Sequence, residues 1–175
     1  NNTKPNNTNN NDTKPNNNTN NNNTKPNNNT NNNDTKPNNN TNNNNTTKSV
    51  EETMEDQILV LINNHRKGLG LGPLQMHPTI QQYARDHSVY MKGKGKISHD
   101  NFKPRMNALS KAVGGAFMRG ENVAMQNDAQ GAFNAWLGSP PHRGNIEQSA
   151  YTHTGIGVVA RGNGQYYLTH IFIKK

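Results

Sequence analysis

The first 48 residues contain no apolar side chain, and this feature constrains the chain more than any other. Tracts of Asn alternate with four Thr-Lys-Pro units, the first being Thr3-Lys4-Pro5, at intervals of 10–11 residues. Asn side chains compete for backbone hydrogen bonds, and Pro interrupts helices and strand ladders. Because nothing apolar can be buried to offset the conformational entropy of ordering, the sequence predicts a disordered spacer over 1–48.

The spacer also contains Asn-x-Thr triplets, which are the acceptor pattern for N-glycosylation. Two interpretations stay open. The triplets are glycosylated if the chain passes through a eukaryotic secretory pathway, or they arise by chance from the Asn/Thr composition. The acceptor positions are Asn1, Asn6, Asn11, Asn17, Asn22, Asn28, Asn33, Asn39, Asn44 and Asn45.

The remaining residues, 49–175, hold every apolar side chain and have the composition of one ordinary globular domain. No stretch approaches the roughly 20 apolar residues of a membrane span. The absence of cysteine excludes disulfides and thiol chemistry. The net charge of +8 is not interleaved with aromatic residues, so nucleic-acid binding is disfavoured. Because the chain begins with Asn1, we expect a processed form or an excerpt.

The spacing of apolar residues predicts an α+β domain. Ser49, three residues before Glu52, is typical of a capping box at the start of the first helix. Asn163-Gly164 is the turn signal of a C-terminal hairpin. The predicted helices cover about 50–67, 77–92, 102–109 and 128–137, a basic loop follows over 92–96, and the predicted strands cover 121–125, 156–160 and 165–173.

Three polar residues are candidates for a shared site. His99 and His142 lie in predicted loops, where a rigid scaffold commonly carries function. Glu121 precedes a predicted strand, and a carboxylate that enters a core must be paired or ligated. The other histidines are interpreted as structural or exposed, namely His65, His77, His87, His153 and His170.

Five motifs, in order over about 53–175, resemble the cysteine-free, bacterial-type branch of the CAP superfamily. This superfamily is named after cysteine-rich secretory proteins, antigen five and pathogenesis-related one, and its domain is also called the SCP domain. The motifs are Asn63 with Arg66 and Gly68-Leu69, Ala84-Arg85-Asp86-His87-Ser88, Ser98-His99-Asp100-Asn101-Phe102 with Arg105, Gly120-Glu121-Asn122-Val123-Ala124, and Trp136 to Ile146 followed by Gly155-Ile156-Gly157-Val158.

The resemblance implies an α-β-α sandwich over 49–175, with a solvent-open cleft that contains His99, Glu121 and His142. It also implies a secreted or surface-exposed protein with an extracellular or cell-envelope partner. In the animal and plant branches, a second glutamate three residues after the helix Trp completes a tetrad. That position is Ser139 here, and Asp100 is the neighbouring carboxylate that could replace it.

Two imidazoles and one carboxylate suit Zn²⁺ or another divalent cation, with water in the fourth position. We therefore predict a metal site of His99, Glu121 and His142. The resemblance further implies a small apolar or sterol-like ligand. Two functions stay open, a binding and interaction module or a metal-assisted, protease-like hydrolase that uses the same three residues. A nucleophile–base pair of Ser139 and His142 is less favoured than a structural turn, because prolines separate them.

Overall fold

The computed structural model describes residues 47–116 and 118–175. The spacer predicted over 1–48 and its glycosylation triplets therefore lie outside the described residues, apart from Thr47 and Lys48. The described chain forms five helices and four strands, in the order α1 (Val50–Gly68), β1 (Gln75–Met76), α2 (Pro78–Lys94), α3 (Phe102–Ala112), β2 (Met118–Gln126), α4 (Ala129–Gly138), α5 (Pro140–Glu147), β3 (His153–Gly162) and β4 (Gln165–Lys174).

The starts and ends of the first two helices follow from their capping residues. Ser49 and Glu52 form the predicted capping box of α1. The His77 side chain accepts a hydrogen bond from Thr79 N and caps α2, which begins with proline. The basic loop predicted over 92–96 is partly wrong, because α2 continues to Lys94. The helix ends where Gly95 adopts the left-handed conformation, at φ 75°.

A four-stranded sheet in the order β1-β3-β4-β2 occupies the middle of the domain. The hairpin of β3 and β4 is confirmed. Its turn residues Asn163 and Gly164 have φ of 54° and 72°, as a type I′ turn requires. β1 pairs in parallel with β3 over two residues and was not predicted, since two residues carry no periodicity. β2 lies at the other edge and pairs antiparallel with β4 alone.

Helices cover both faces of this sheet, which confirms the predicted α-β-α sandwich. On one face α1, α4 and α5 bury a core that includes Ile58, Trp136 and Phe172. On the other face α2 and α3 pack over the sheet through Ile80, Leu109 and further side chains. None of the described helices is long and apolar enough to cross a membrane.

Two glycines of β3 allow α2 to lie directly on the sheet. A Cβ at Gly155 would lie 2.2 Å from the carbonyl carbon of Ile80, and one at Gly157 would lie 2.1 Å from Arg85 N. Both clashes involve helix backbone, which cannot rotate away. The Gly-Ile-Gly motif is therefore explained by close helix–strand packing.

Candidate functional site

The site is built around Glu121, on the edge strand β2. Its side chain is completely buried and points toward α2 and α3. Oε1 accepts a hydrogen bond of 2.9 Å from His99 Nδ1, and Oε2 pairs with the Arg105 guanidinium. Because the carboxylate only accepts, His99 Nδ1 is the donor and carries a proton, which leaves Nε2 as the ring nitrogen that faces away from Glu121. The His99 side chain is 49% exposed, so the structure joins a buried carboxylate to an accessible imidazole.

Arg105, which belongs to the motif around His99, is a site residue that no sequence pattern singled out. It lies on α3, is largely buried, and also donates to the backbone carbonyl of Asp100 at 2.7 Å. Burial alone would raise the pKa of Glu121, but the hydrogen bonds from His99 and Arg105 more than offset this effect and lower the pKa. Glu121 is therefore held as an anion. No spacing rule in the sequence links an arginine on one helix to a glutamate 16 residues later.

His87 forms the wall of the site behind Glu121. The residue is 3% exposed, which agrees with its interpretation as a structural histidine, and its Nε2 lies 3.8 Å from Glu121 Oε1. That same Nε2 donates to the carbonyl of Ser98 at 2.7 Å, which fixes the loop that carries His99. Burial lowers the pKa of His87, so a neutral ring holds the loop in place.

His142 reaches the site from the opposite face of the sheet. It was predicted to lie in a loop, and this is wrong, because it belongs to the first turn of α5. Pro140 and Pro141 end α4 as predicted, but proline also suits the first position of a new helix. The ring centroids of His99 and His142 lie 6.4 Å apart. Burial and the charge of His99 lower the pKa of His142.

Two asparagines fix α5 against β2. Asn122 donates to the backbone carbonyl of His142 at 2.9 Å. Asn145 donates to Asn122 Oδ1 at 2.8 Å and to the Glu121 carbonyl at 3.4 Å. A Cβ at Gly120 would lie 2.7 Å from Asn145 Oδ1, so glycine at this position leaves room for the contact. These contacts explain why Gly, Glu and Asn occur together in the motif.

The structure brings His99, Glu121 and His142 into one neighbourhood, whereas the side chains of Asp100 and Ser139 form no hydrogen bond to these three residues within the described part of the chain. The Asp100 carboxylate accepts from the Tyr90 hydroxyl and pairs with Lys94, so it is held by α2 rather than by the site. Ser139 makes no side-chain hydrogen bond to His142 in the part of the chain that the structure describes, and it joins α4 to α5 through its backbone.

The remaining histidines have other partners. His65 pairs with Glu147 at 2.9 Å, and fully buried His170 contacts Thr154 Oγ1 at 2.6 Å. His77 and His153 face each other across the start of α2, with ring centroids 6.1 Å apart. This second pair has no buried carboxylate like Glu121 among the hydrogen-bond partners found for the described residues.

A mainly apolar groove of about 450 Å³ continues from His142 along the edge of β2. Its floor is Val123 to Gln126, and its walls come from the loop before His99 and from α4. Over residues 47–116 and 118–175, no three His, Asp or Glu side chains have the arrangement of a metal site. The geometry thus offers two imidazoles, a buried anion that orients one of them, and an adjoining groove.

The family model described as "CAP: Cysteine-rich secretory protein family" matches residues 59–173. Among curated proteins, the chain is 33% identical over 114 residues to the uncharacterized protein YkwD of Bacillus subtilis, covering 62% of this chain and 44% of that protein. It is 34% identical over 131 residues to the uncharacterized membrane protein YlbC of Bacillus subtilis, covering 73% of this chain and 36% of that protein. The chain thus spans less than half the length of either relative.

Solved structures share the fold. The fold matches an extracellular protein containing an SCP domain from Bacillus anthracis, with a TM-score of 0.64 and 30% identity, over 72% of this chain and 42% of that one. It also matches an outer surface protein from Borrelia burgdorferi, with a TM-score of 0.62 and 21% identity, over 70% of this chain and 95% of that one. NaASP2, solved with Zn²⁺, matches with a TM-score of 0.53 and 13% identity, over 69% of this chain and 79% of that one.

Proposed function

The chain belongs to the CAP (cysteine-rich secretory protein) family, and from that premise we propose that it is a secreted or surface-exposed binding module. Its cleft binds a divalent cation, with Zn²⁺ as the best-suited ion, through the imidazoles of His99 and His142. The ligand of the adjoining groove is a small apolar or sterol-like molecule or an extracellular partner. The extracellular relative from Bacillus anthracis supports the location.

One observation carries the proposal, namely the hydrogen bond of 2.9 Å between His99 Nδ1 and Glu121 Oε1. A carboxylate that accepts from one ring nitrogen of a histidine orients the ring and makes the other nitrogen a better ligand. With centroids 6.4 Å apart, the rings of His99 and His142 can share one ion after small rotations, because Zn–N bonds are about 2.0–2.1 Å. Water or a ligand fills the remaining positions.

In this proposal Glu121 orients His99 and is not a direct ligand. Both carboxylate oxygens already accept hydrogen bonds, and the side chain is fully buried. The same contacts argue against the hydrolase alternative. A general base must be free to take a proton near neutral pH, whereas the pKa of Glu121 is lowered by its partners despite its burial. The donor set therefore favours binding over hydrolysis.

Zinc titration calorimetry on the full chain tests the proposal. We expect one site, whose affinity falls at least tenfold in His99→Ala and in His142→Ala. The matched control is His153→Ala, because His153 belongs to a histidine pair of similar spacing that has no buried carboxylate. Unchanged zinc affinity in the double variant His99→Ala plus His142→Ala would refute the metal site. An equal loss in His153→Ala would move the site to the other pair.

A further inference from the structure

The direction of the backbone groups along β2 can be read from the other edge of the sheet. His77 N donates to the carbonyl of Thr154 at 2.9 Å, so Thr154 directs its backbone groups toward β1. The backbone N–H and C=O groups of successive residues in a strand point to opposite neighbouring strands. The backbone groups of Gly155 therefore point to β4 and bond to its partner Ile171, so those of the next residue, His170, point to its partner Asn122 on β2. Glu121, Val123 and Met125 then direct their N–H and C=O groups away from the sheet.

Two side chains support this assignment independently, because they cap the outward carbonyls of β2. Asn145 donates to the Glu121 carbonyl at 3.4 Å, and the Trp136 indole donates to the Val123 carbonyl at 3.2 Å. The outward N–H groups of Val123 and Met125 have no such partner among the hydrogen bonds of the described residues. Val123 is only 5% exposed, and a buried N–H without an acceptor is costly. This edge thus presents donors that require acceptors.

The groove of about 450 Å³ lies along these donors, with Val123 to Gln126 as its floor. A strand rises about 3.3 Å per residue, so the floor matches an extended segment of about four residues. Ile97 lines one wall and Trp136 the other, so the groove suits an apolar side chain. Lys96 stands on the same rim as Ile97, which favours an acidic side chain beside the apolar one.

We propose that the cleft binds an extended peptide segment, with an apolar residue next to an acidic one, along the edge of β2, where it pairs with the outward N–H groups that no side chain of the described residues caps. Carbonyl groups of the peptide accept from Val123 N and Met125 N, and strand addition of this kind takes affinity from main-chain bonds and specificity from alternate side chains. The inference deepens the proposed binding function by naming the partner class of the same cleft. It rests on that function only through the shared cleft, since none of the hydrogen bonds to the bound peptide requires a metal ion.

Amide resonances provide the most direct test. The full chain, labelled with ¹⁵N and kept in EDTA, is titrated with four capped pentapeptides that share a Val-Ile-Val core and carry Asp, Ser, Lys or Phe at the first position. We expect the Asp peptide to bind most tightly. It should shift the Val123 and Met125 amide protons downfield and slow their hydrogen exchange at least tenfold. The control is the Asp peptide with its backbone amides replaced by esters, because ester carbonyls are much weaker hydrogen-bond acceptors; it should bind at least tenfold more weakly.

Variants at Met125 give a second readout. Met125→Pro removes the outward N–H without removing a ladder bond, and proline is tolerated at such edge positions. We expect it to weaken the Asp peptide at least tenfold, whereas Met125→Ala, which keeps the N–H, should stay within threefold. If Met125→Pro does not fold, the resonances of the unaltered chain still decide the question.

Three results would overturn the proposal: no shift at Val123 and Met125 with any of the four peptides at millimolar concentration, equal binding of the ester peptide, or equal affinity of Met125→Pro and Met125→Ala. Zinc calorimetry distinguishes a failure of strand addition from a failure of the proposed metal site. Peptide binding in EDTA without zinc binding refutes the metal site alone, and zinc binding without peptide binding refutes strand addition alone.

Discussion

The two edges of the sheet are completed in different ways, although each has a buried glutamate paired with an arginine. At the β3 edge, which is the part of β3 that extends beyond the two-residue β1, Glu55 of α1 accepts from Val158 N at 3.1 Å and from Arg85 Nε at 2.8 Å, and Gln81 adds a bond of 2.7 Å. At the β2 edge, Glu121 accepts from Arg105 and from an imidazole that is half exposed. The first arrangement closes the edge, whereas the second connects a buried anion to solvent.

The difference shows what separates a structural ion pair from a candidate site. The donors to Glu55 are a backbone amide, an arginine and a glutamine, none of which changes its proton state near neutral pH. Glu121 instead has two histidines within 3.8 Å, one of them half exposed. Burial and pairing alone therefore do not identify the site; the accessible titratable partner does.

The largest effect on stability is expected from Gly157→Ala, which disrupts the packing of α2 on β3 at the closed β3 edge. The added Cβ would lie 2.1 Å from Arg85 N, so α2 would have to move off β3 and carry Arg85 away from Glu55. We expect a loss of at least about 3 kcal/mol in the free energy of unfolding, measured by urea denaturation.

Gly138→Ala is the matched control for this substitution. Gly138 lies at the end of α4 with nothing within 4 Å of an added Cβ. Its unfolding free energy should stay within about 0.5 kcal/mol of that of the unchanged chain. A Gly157→Ala protein as stable as this control would contradict the close packing of α2 on β3.

Exchanging each glutamate for glutamine separates the two edges by function. Glu55→Gln removes a buried charge that accepts from Val158 N, Arg85 and Gln81, and we expect a cost of about 3 kcal/mol in unfolding free energy with unchanged zinc affinity. Glu121→Gln should also destabilise the chain, but in addition it should weaken zinc binding by about 10- to 100-fold, because the residue orients His99. Urea denaturation and calorimetry measure the two quantities.

The comparison fails if both variants change zinc affinity equally. Glu121 would then act only through the general stability of the fold, as Glu55 does. It also fails if neither variant changes zinc affinity, since the hydrogen bond to His99 would then have no influence on the ion.

Much of the closed part of the molecule could be predicted from sequence, because its signals are local. The periodicity of α1, its Ser49 cap and the Asn163-Gly164 turn each lie within a few residues. The two missed elements give weak or opposite local signals. β1 has two residues, and the proline pair that ends α4 also begins α5.

The open edge was predicted only in part for the same reason. The family resemblance pointed to His99, Glu121 and His142 as residues of one cleft. Neither the contact of Arg105 with Glu121 nor the outward direction of Val123 N has a local signal in the sequence. The first joins α3 to β2, and the second depends on the register of three strands. Sequence periodicity states which face of a strand is buried, but it does not state which edge of the sheet remains unpaired.

The smallest effect is expected from Asn145→Ala, which removes a cap from the open edge. The variant loses the hydrogen bonds to the Glu121 carbonyl and to Asn122 Oδ1, which lie in a partly buried position next to Gly120. We expect a loss of about 1–2 kcal/mol in unfolding free energy, below that of Glu55→Gln, because the lost hydrogen bonds join neutral groups rather than a carboxylate. Asn134→Ala, an exposed asparagine on α4, is the control and should cost less than about 0.5 kcal/mol. If Asn145→Ala costs as much as Glu55→Gln, then the β2 edge is as tightly closed as the β3 edge, and the contrast on which the cleft depends is wrong.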